Sequence, residues 1–220
     1  HLKKKDKQAD IRAWGGELME AQGAKIIKHY RDLAFMGFVE VLFNLRTILT
    51  NISFCKKDIL SFKPDAIILV DYPGFNLRIA EWANQEGIKV IYYISPQIWA
   101  WKKNRVFKIK KYVDEMMVIL PFEEEFYAKY DYPVSYVGHP LLDALPNPVH
   151  VEDRFRKENQ LDEKPIIALL PGSRQQEIKK MLNIMLSQVP HFPDYQFVIA
   201  GAPSLNKSFY QDIIGNDQVK

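Results

Sequence analysis

Short apolar runs alternate along this chain with longer segments in which apolar residues recur every three or four positions. That alternation is the pattern of strands followed by helices. The runs at residues 11–14, 24–27, 65–71, 88–94, 115–120, 132–137, 166–170 and 196–200 predict strands. Residues 2–8, 17–22, 76–84, 102–111, 152–159 and 203–214 predict helices, and further helices start at Pro121 and just past Leu170. The 65–71 run, DAIILVD, is a strand with acidic ends, and the 166–170 run is the right length for a buried parallel strand. Strand and helix in strict alternation predict an α/β fold with parallel sheets.

Residues 33–49 break the pattern. Phe35, Met36, Phe38, Val39, Val41, Leu42, Phe43, Leu45, Ile48 and Leu49 cover more than one helical face. A surface helix normally shows one apolar stripe. Two readings stay open: a helix buried on two sides, or an apolar patch that meets a membrane or an acyl chain. Arg31, Arg46, Lys56 and Lys57 lie nearby for anionic head groups.

Pro146, Pro148 and the polar run after them read as a linker, which puts a domain boundary near residue 150. Residues 1–150 then form one α/β domain and 151–220 the start of a second, with a ligand cleft expected between them. The chain opens at His1 inside a predicted helix and stops after Ile214 without a closing element, as expected of a fragment.

Composition changes little. Of the 220 residues 47% are hydrophobic, enough for a substantial core. A net charge of +3 gives no reason to expect nucleic acid as a partner. The single cysteine, Cys55, excludes an internal disulfide and a multi-cysteine metal site, and reads as a small residue on a helix. No apolar run reaches the roughly 18 residues of a membrane span.

The candidate chemistry gathers at strand ends. In IIALLPGSRQQE, residues 166–177, a strand breaks at Pro171-Gly172. Ser173 stands where an N-cap belongs and Gln176 lies three residues on, as in a capping box. Such a turn aims free backbone amides at one point, which attracts anions. Arg174 adds a positive fork suited to a diphosphate. The alternative is an ordinary strand-to-helix turn with a surface arginine. Asp71 closes the 65–71 strand at its carboxyl end, where open α/β sheets place ligands. It reads either as a base or hydroxyl ligand, or as a turn residue before a helix beginning near Asn76. Trp99 and Trp101 follow the next strand, as a pocket wall or as core. The run from Lys102 to Lys111 is a basic amphipathic helix for phosphate or an anionic surface, or a solvated face. Glu123, Glu124 and Glu125 read as acids complementing a helix dipole. His139 is a phosphate or hydroxyl ligand, or an unremarkable loop residue.

Taken together, LAFMGFVEVL (33–42), KPDAIILVDYPGFN (63–76), YISPQIWAWKKNRVFKI (93–109), LPFEEEFY (120–127), VGHPLLDAL (137–145) and ALLPGSRQQEI (168–178) resemble the lipid-A-disaccharide synthases, over essentially the whole chain. The resemblance implies a GT-B architecture of two Rossmann-like halves. It implies transfer of a diacylated glucosamine from UDP to a diacylated glucosamine 1-phosphate by inversion, with no metal or other cofactor. Asp71 and Arg174 are then the expected catalytic residues. Expected substrate contacts are Asn76, Ser95, Trp99, Trp101, Arg105 and His139 in the first domain and Gly172, Ser173 and Glu177 in the second. The membrane surface is expected to meet Phe38, Val39, Leu42, Leu45, Leu49, Arg46, Lys102 and Lys103, on the inner face of a bacterial inner membrane. Many family members carry a second aspartate in the loop that here reads DYPGFN, at the position of Gly74. The alternatives are another GT-B enzyme of UDP-sugars, an epimerase or soluble transferase, or a non-catalytic membrane- or nucleotide-binding fragment.

Overall fold

The structure, a computed structural model, describes residues 2–30, 45–145 and 152–215. Most of the predicted 33–49 helix, including Phe38, Val39 and Leu42, lies outside the described residues. The chain divides into two compact units, His1–Ala144 and Leu145–Lys220.

The first unit opens with helix α1 (Leu2–Lys5). Strand β1 (Arg12–Gly15), helix α2 (Glu17–Ala21) and strand β2 (Lys25–His29) follow. The two strands pair in parallel, Arg12 opposite Lys25. They lie against a long helix, α3 (Leu45–Phe62), which begins within the 33–49 stretch and carries Cys55. Trp14 packs on Phe54 and Phe75, and its indole N–H donates to Asp58 at 3.3 Å. Asp58 also pairs with Arg12 at 2.8 Å. Lys28 donates to Asn51 at 2.7 Å. Cys55 is buried on α3, and desolvation, then the nearby Asp58 charge, pushes its thiol up to about 12.

A second sheet carries the core. Strands β3 (Ala66–Val70), β4 (Lys89–Tyr93), β5 (Glu115–Val118) and β6 (Ser135–Tyr136) lie in sequence order. All three pairings are parallel. Their crossovers are the helices α4 (Pro73–Gln85), α5 (Arg105–Tyr112) and α6 (Phe122–Ala128). A last helix of the unit, α7 (Pro140–Ala144), follows β6. The apolar positions of α4 and α5 fall every three or four residues, so Ile79, Ala83, Val106 and Ile109 bury against Val90, Met116 and Val118. Each fully buried aliphatic chain stabilises the fold by about 1.5–3 kcal/mol. One face of β3 is open: Ile68 and Val70 are about half exposed.

Three buried tyrosines tie the layers together. The Tyr92 hydroxyl donates to the Asp71 carbonyl at 2.5 Å, and that of Tyr132 to the Val113 carbonyl at 2.8 Å. The Tyr127 hydroxyl and Ser95 Oγ share a hydrogen bond of 2.7 Å. Burial raises all three phenols, Tyr127 to about 12. A raised phenol favours the fold in its neutral form. Its contribution is therefore complete below the ordinary tyrosine value of 10.0 and is lost as pH climbs from there through about 12. Urea midpoints should fall across that interval, and less steeply in Tyr127→Phe.

The second unit begins with α8 (Glu152–Glu158). Strand β7 (Ile166–Leu169), helix α9 (Gln175–Leu186) and a 3-10 turn at Val189–His191 come next. Strand β8 (Gln196–Ile199) and helix α10 (Lys207–Ile214) complete it. The two strands pair in parallel, Ile166 opposite Gln196. Helix α9 buries Ile178, Leu182 and Leu186, four residues apart, against Leu169, Phe197 and Tyr210. The structure is thus α/β with parallel sheets, as the pattern predicts. Among the described residues no helix is long and apolar enough to cross a membrane.

Several boundaries move. Pro73 and Gly74 are not a turn before a helix at Asn76; they are the first helical residues of α4. Proline's missing N–H costs nothing there. The reversal falls instead on Asp71 and Tyr72, both at positive φ (45° and 43°). The predicted 132–137 strand shrinks to two residues behind Pro133, which has no N–H for a ladder. Helix α10 starts at Lys207 rather than at 203.

Candidate functional site

The carboxyl edge of the four-stranded sheet holds a hollow of about 300 Å³. It is lined by residues just past three successive strand ends. Asp71 and Pro73 follow β3, Ile94, Ser95, Pro96 and Gln97 follow β4, and Ile119 and Leu120 follow β5. Trp101 and Glu123 complete the wall. This is where open parallel sheets bind ligands. Three sequence-predicted residues, Asp71, Ser95 and Trp101, meet here.

Backbone strain marks the same edge. Asp71, Tyr72, Ile94 and Lys102 all have positive φ, Ile94 at 66° although β-branched. Such residues cost roughly 1–3 kcal/mol each and cluster where a site needs a particular presentation. At Asp71 the strain is held by its neighbours. Its amide donates to the Tyr93 carbonyl at 3.0 Å. Its carbonyl accepts from Tyr92, and from Asn76 Nδ2 at 2.8 Å. Asn76 also reaches the Val70 carbonyl at 3.0 Å. These bonds hold the Asp71 backbone at the strand end, and its side chain is exposed there. Asn76 therefore orients Asp71; its amide group is already engaged.

The aromatic and basic residues divide. Trp101 is 59% exposed beside the hollow, with Lys102 over its ring at 4.6 Å and Arg105 at 5.7 Å. Trp99 instead meets Phe122 edge-on at 4.9 Å and is not among the lining residues. Its buried indole N–H has no partner among the described residues. Much of the basic helix α5 is engaged. Lys108 pairs with Glu81 at 2.5 Å, a hydrogen bond that lowers the Glu81 carboxyl, and Lys110 donates to the Tyr130 carbonyl at 2.8 Å. Lys102 and Arg105, just before and at its start, stand over the hollow's Trp101; Lys103 lies between them in sequence and is exposed. His139 follows β6, and its Nδ1 accepts from the Leu141 amide at 3.2 Å, a local turn contact outside the hollow.

Glu123 is the residue that sequence reasoning missed. The acidic run was assigned to the helix dipole, which fits the exposed Glu124 and Glu125. Glu123, however, is 1% exposed, and its Oε2 accepts from the Ile119 and Leu120 amides at 3.2 and 2.9 Å. Leu120 and Glu123 are three residues apart, the spacing of a carboxylate reaching back to a helix-start amide, and that was the legible signal.

In the second unit the predicted residues form one turn. Gly172 has φ of 119°, accessible to glycine at little cost. The expected capping box is absent. Ser173 is not the N-cap; Arg174 is, in extended conformation (φ −111°, ψ 140°), with no side-chain cap. The helix begins one residue later, so Glu177 rather than Gln176 occupies its third position. Arg174 Nη1 bonds Glu177 Oε1 at 2.7 Å, both exposed to solvent. A Cβ on Gly172 would stand 3.0 Å from Glu177 Oε2. Gly172, Ser173, Arg174 and Glu177 are thus neighbours on an open surface. Among the described residues no group of three or more His, Cys, Asp or Glu is placed to hold a metal ion.

Comparison with known proteins agrees with the motifs. Residues 1–215 match the family model described as lipid-A-disaccharide synthetase. A lipid-A-disaccharide synthase of Coxiella burnetii (strain Dugway 5J108-111) is 42% identical over 93% of this chain and 55% of its own length. Those of Trichlorobacter lovleyi and Syntrophus aciditrophicus are 42% and 40% identical, over 87% and 91% of this chain and 51% and 53% of theirs. The chain spans about half the length of the curated relatives it matches. A solved UDP-GlcNAc 2-epimerase from Neisseria meningitidis bound to UDP-GlcNAc aligns at 15% identity and TM-score 0.48, over 93% of this chain and 61% of that one. That likeness is too slight to carry an argument. The family match over nearly the whole sequence does carry one, and with the motifs at the strand ends it places this chain in the lipid-A-disaccharide synthetase family.

Proposed function

We propose that this chain is part of a GT-B glycosyltransferase that joins UDP-2,3-diacylglucosamine to 2,3-diacylglucosamine 1-phosphate, giving lipid A disaccharide 1-phosphate and UDP. Beyond family membership, one observation carries the reading. Asp71, its backbone anchored, lines a hollow at a parallel sheet's carboxyl edge, with an exposed tryptophan and two cations beside it.

In this mechanism Asp71 takes the proton of the acceptor 6-hydroxyl as that oxygen attacks the donor's anomeric carbon. The bond from that carbon to the diphosphate oxygen breaks with inversion. Negative charge grows on the departing UDP. Arg174 and the amides of Gly172 and Ser173 meet it, donors fixed before the reaction begins. Arg105, Lys102 and Lys103 hold the acceptor phosphate or anionic head groups. The apolar stretch that includes Phe38, Val39, Leu42, Leu45 and Leu49, with Arg46, seats the acyl chains at the membrane surface. Leu49, 63% exposed on α3, fits that role. The enzyme is then peripheral on the inner face of the inner membrane.

The test is a product assay. The natural full-length protein, given both substrates, should release UDP and disaccharide in equal amounts and sediment with vesicles containing anionic lipid. UDP release without disaccharide, or epimerised sugar, would refute the reading.

A further inference from the structure

We propose that Glu123 is a substrate-binding carboxylate of the hollow, accepting a hydrogen bond from a ring hydroxyl of the acceptor sugar. The inference rests on the transferase reading above. Glu123 lines the same hollow as Asp71 while only 1% exposed. Its Oε2 is occupied by the amides of Ile119 and Leu120. Among the described residues no donor pairs with Oε1. Capping the two amides takes one oxygen of Glu123 and leaves the other to the hollow. Oε1 is not one of the fully buried polar atoms that lack a partner, so it opens on the hollow, where a ligand's donor can reach it.

The chemistry of the hollow narrows the donor. About 300 Å³ suits one sugar ring rather than acyl chains. The carboxylates of Asp71 and Glu123 repel phosphate, so the acceptor's phosphate belongs at Lys102 and Arg105, on the Trp101 side. What remains for Glu123 is a neutral donor on the ring. With Asp71 on the reacting hydroxyl, Glu123 on another hydroxyl fixes the ring's rotation in the site.

Glu123→Gln separates this role from capping. The glutamine oxygen still accepts from Ile119 and Leu120, but the other position becomes an NH₂ donor. In the natural full-length protein the acceptor KM should rise roughly 10- to 100-fold while the donor KM and thermal midpoint stay near wild type. Should the variant fold poorly, the wild type answers alone. Acceptor analogues lacking one ring hydroxyl at a time should include one that binds about tenfold more weakly. An unmoved acceptor KM in a stably folded variant would overturn the inference while wild-type turnover upheld the transferase reading. So would a loss confined to kcat, or equal binding of every deoxy analogue. A wild type with no turnover would overturn the transferase reading and this inference with it.

Discussion

Replacing Arg174 with alanine in the natural full-length protein should lower kcat/KM for the UDP-linked donor roughly 100- to 1,000-fold, with little change in thermal stability. The stability half follows from exposure. The Arg174–Glu177 pair lies in solvent at i,i+3 spacing, and such pairs contribute about 0–1 kcal/mol. The activity half follows from what the turn offers a diphosphate. Two amides and one guanidinium stand at the start of a 12-residue helix whose N-terminal end is positive. The guanidinium is the only full charge among them. Glu177 competes for it, so the incoming diphosphate must displace a weak surface pair. Arg174→Lys should recover only part of the loss, because an ammonium cannot make the bidentate contact. Near-wild-type turnover in Arg174→Ala would remove the residue from the mechanism.

The second large effect is expected at Asp71. Asp71→Asn keeps the shape of the strand end, since Tyr92 and Asn76 hold the backbone carbonyl rather than the carboxylate. Loss of a general base costs about 10²- to 10⁴-fold in kcat. Acceptor and donor KM values should change little. Unchanged turnover would eliminate Asp71 as the base. The nearby Gly74 then becomes informative. It lies in the first turn of α4, and a Cβ added there meets nothing within 4 Å. Gly74→Asp, the residue many relatives carry, fits without strain and places a second carboxylate three residues from the first.

How far the sequence could be read depended on how local each signal was. Every strand of the structure overlaps a predicted run, though β1 and β2 run on to Gly15 and His29, because a buried parallel strand is a short apolar segment bounded by breakers. The sequence puts Cys55 on a helix but not the bounds of α3, because apolar residues crowd before it and its own stripe is mixed. Lys56, Lys57 and Asp58 fall within it, and Asp58 and Asn51 serve contacts to β1 and β2 that no local pattern reveals. The turn before α4 was misplaced because Pro-Gly reads as a turn. The left-handed residues are in fact Asp71 and Tyr72, held by tertiary hydrogen bonds. Ser173 with Gln176 three residues on reads as a capping box, whereas Gly172 has positive φ and the chain is still extended at Arg174, the actual N-cap. The hollow combined residues 71, 95, 101 and 123, whose nearness depends on sheet order. Asp71, Ser95 and Trp101 were legible as residues at strand ends. Glu123 is set apart from its two acidic neighbours in the sequence only by its three-residue spacing from Leu120; its burial depends on tertiary packing.

The account assigns the diphosphate to the Gly172–Arg174 turn and the acceptor to the hollow at Asp71. Calorimetric titration of UDP into the natural full-length protein and its two variants tests that division most directly. The account expects Asp71→Asn to bind UDP as the wild type does, and Arg174→Ala to bind it at least about tenfold more weakly. Equal UDP affinity in wild type and Arg174→Ala, or a loss in Asp71→Asn instead, would contradict it.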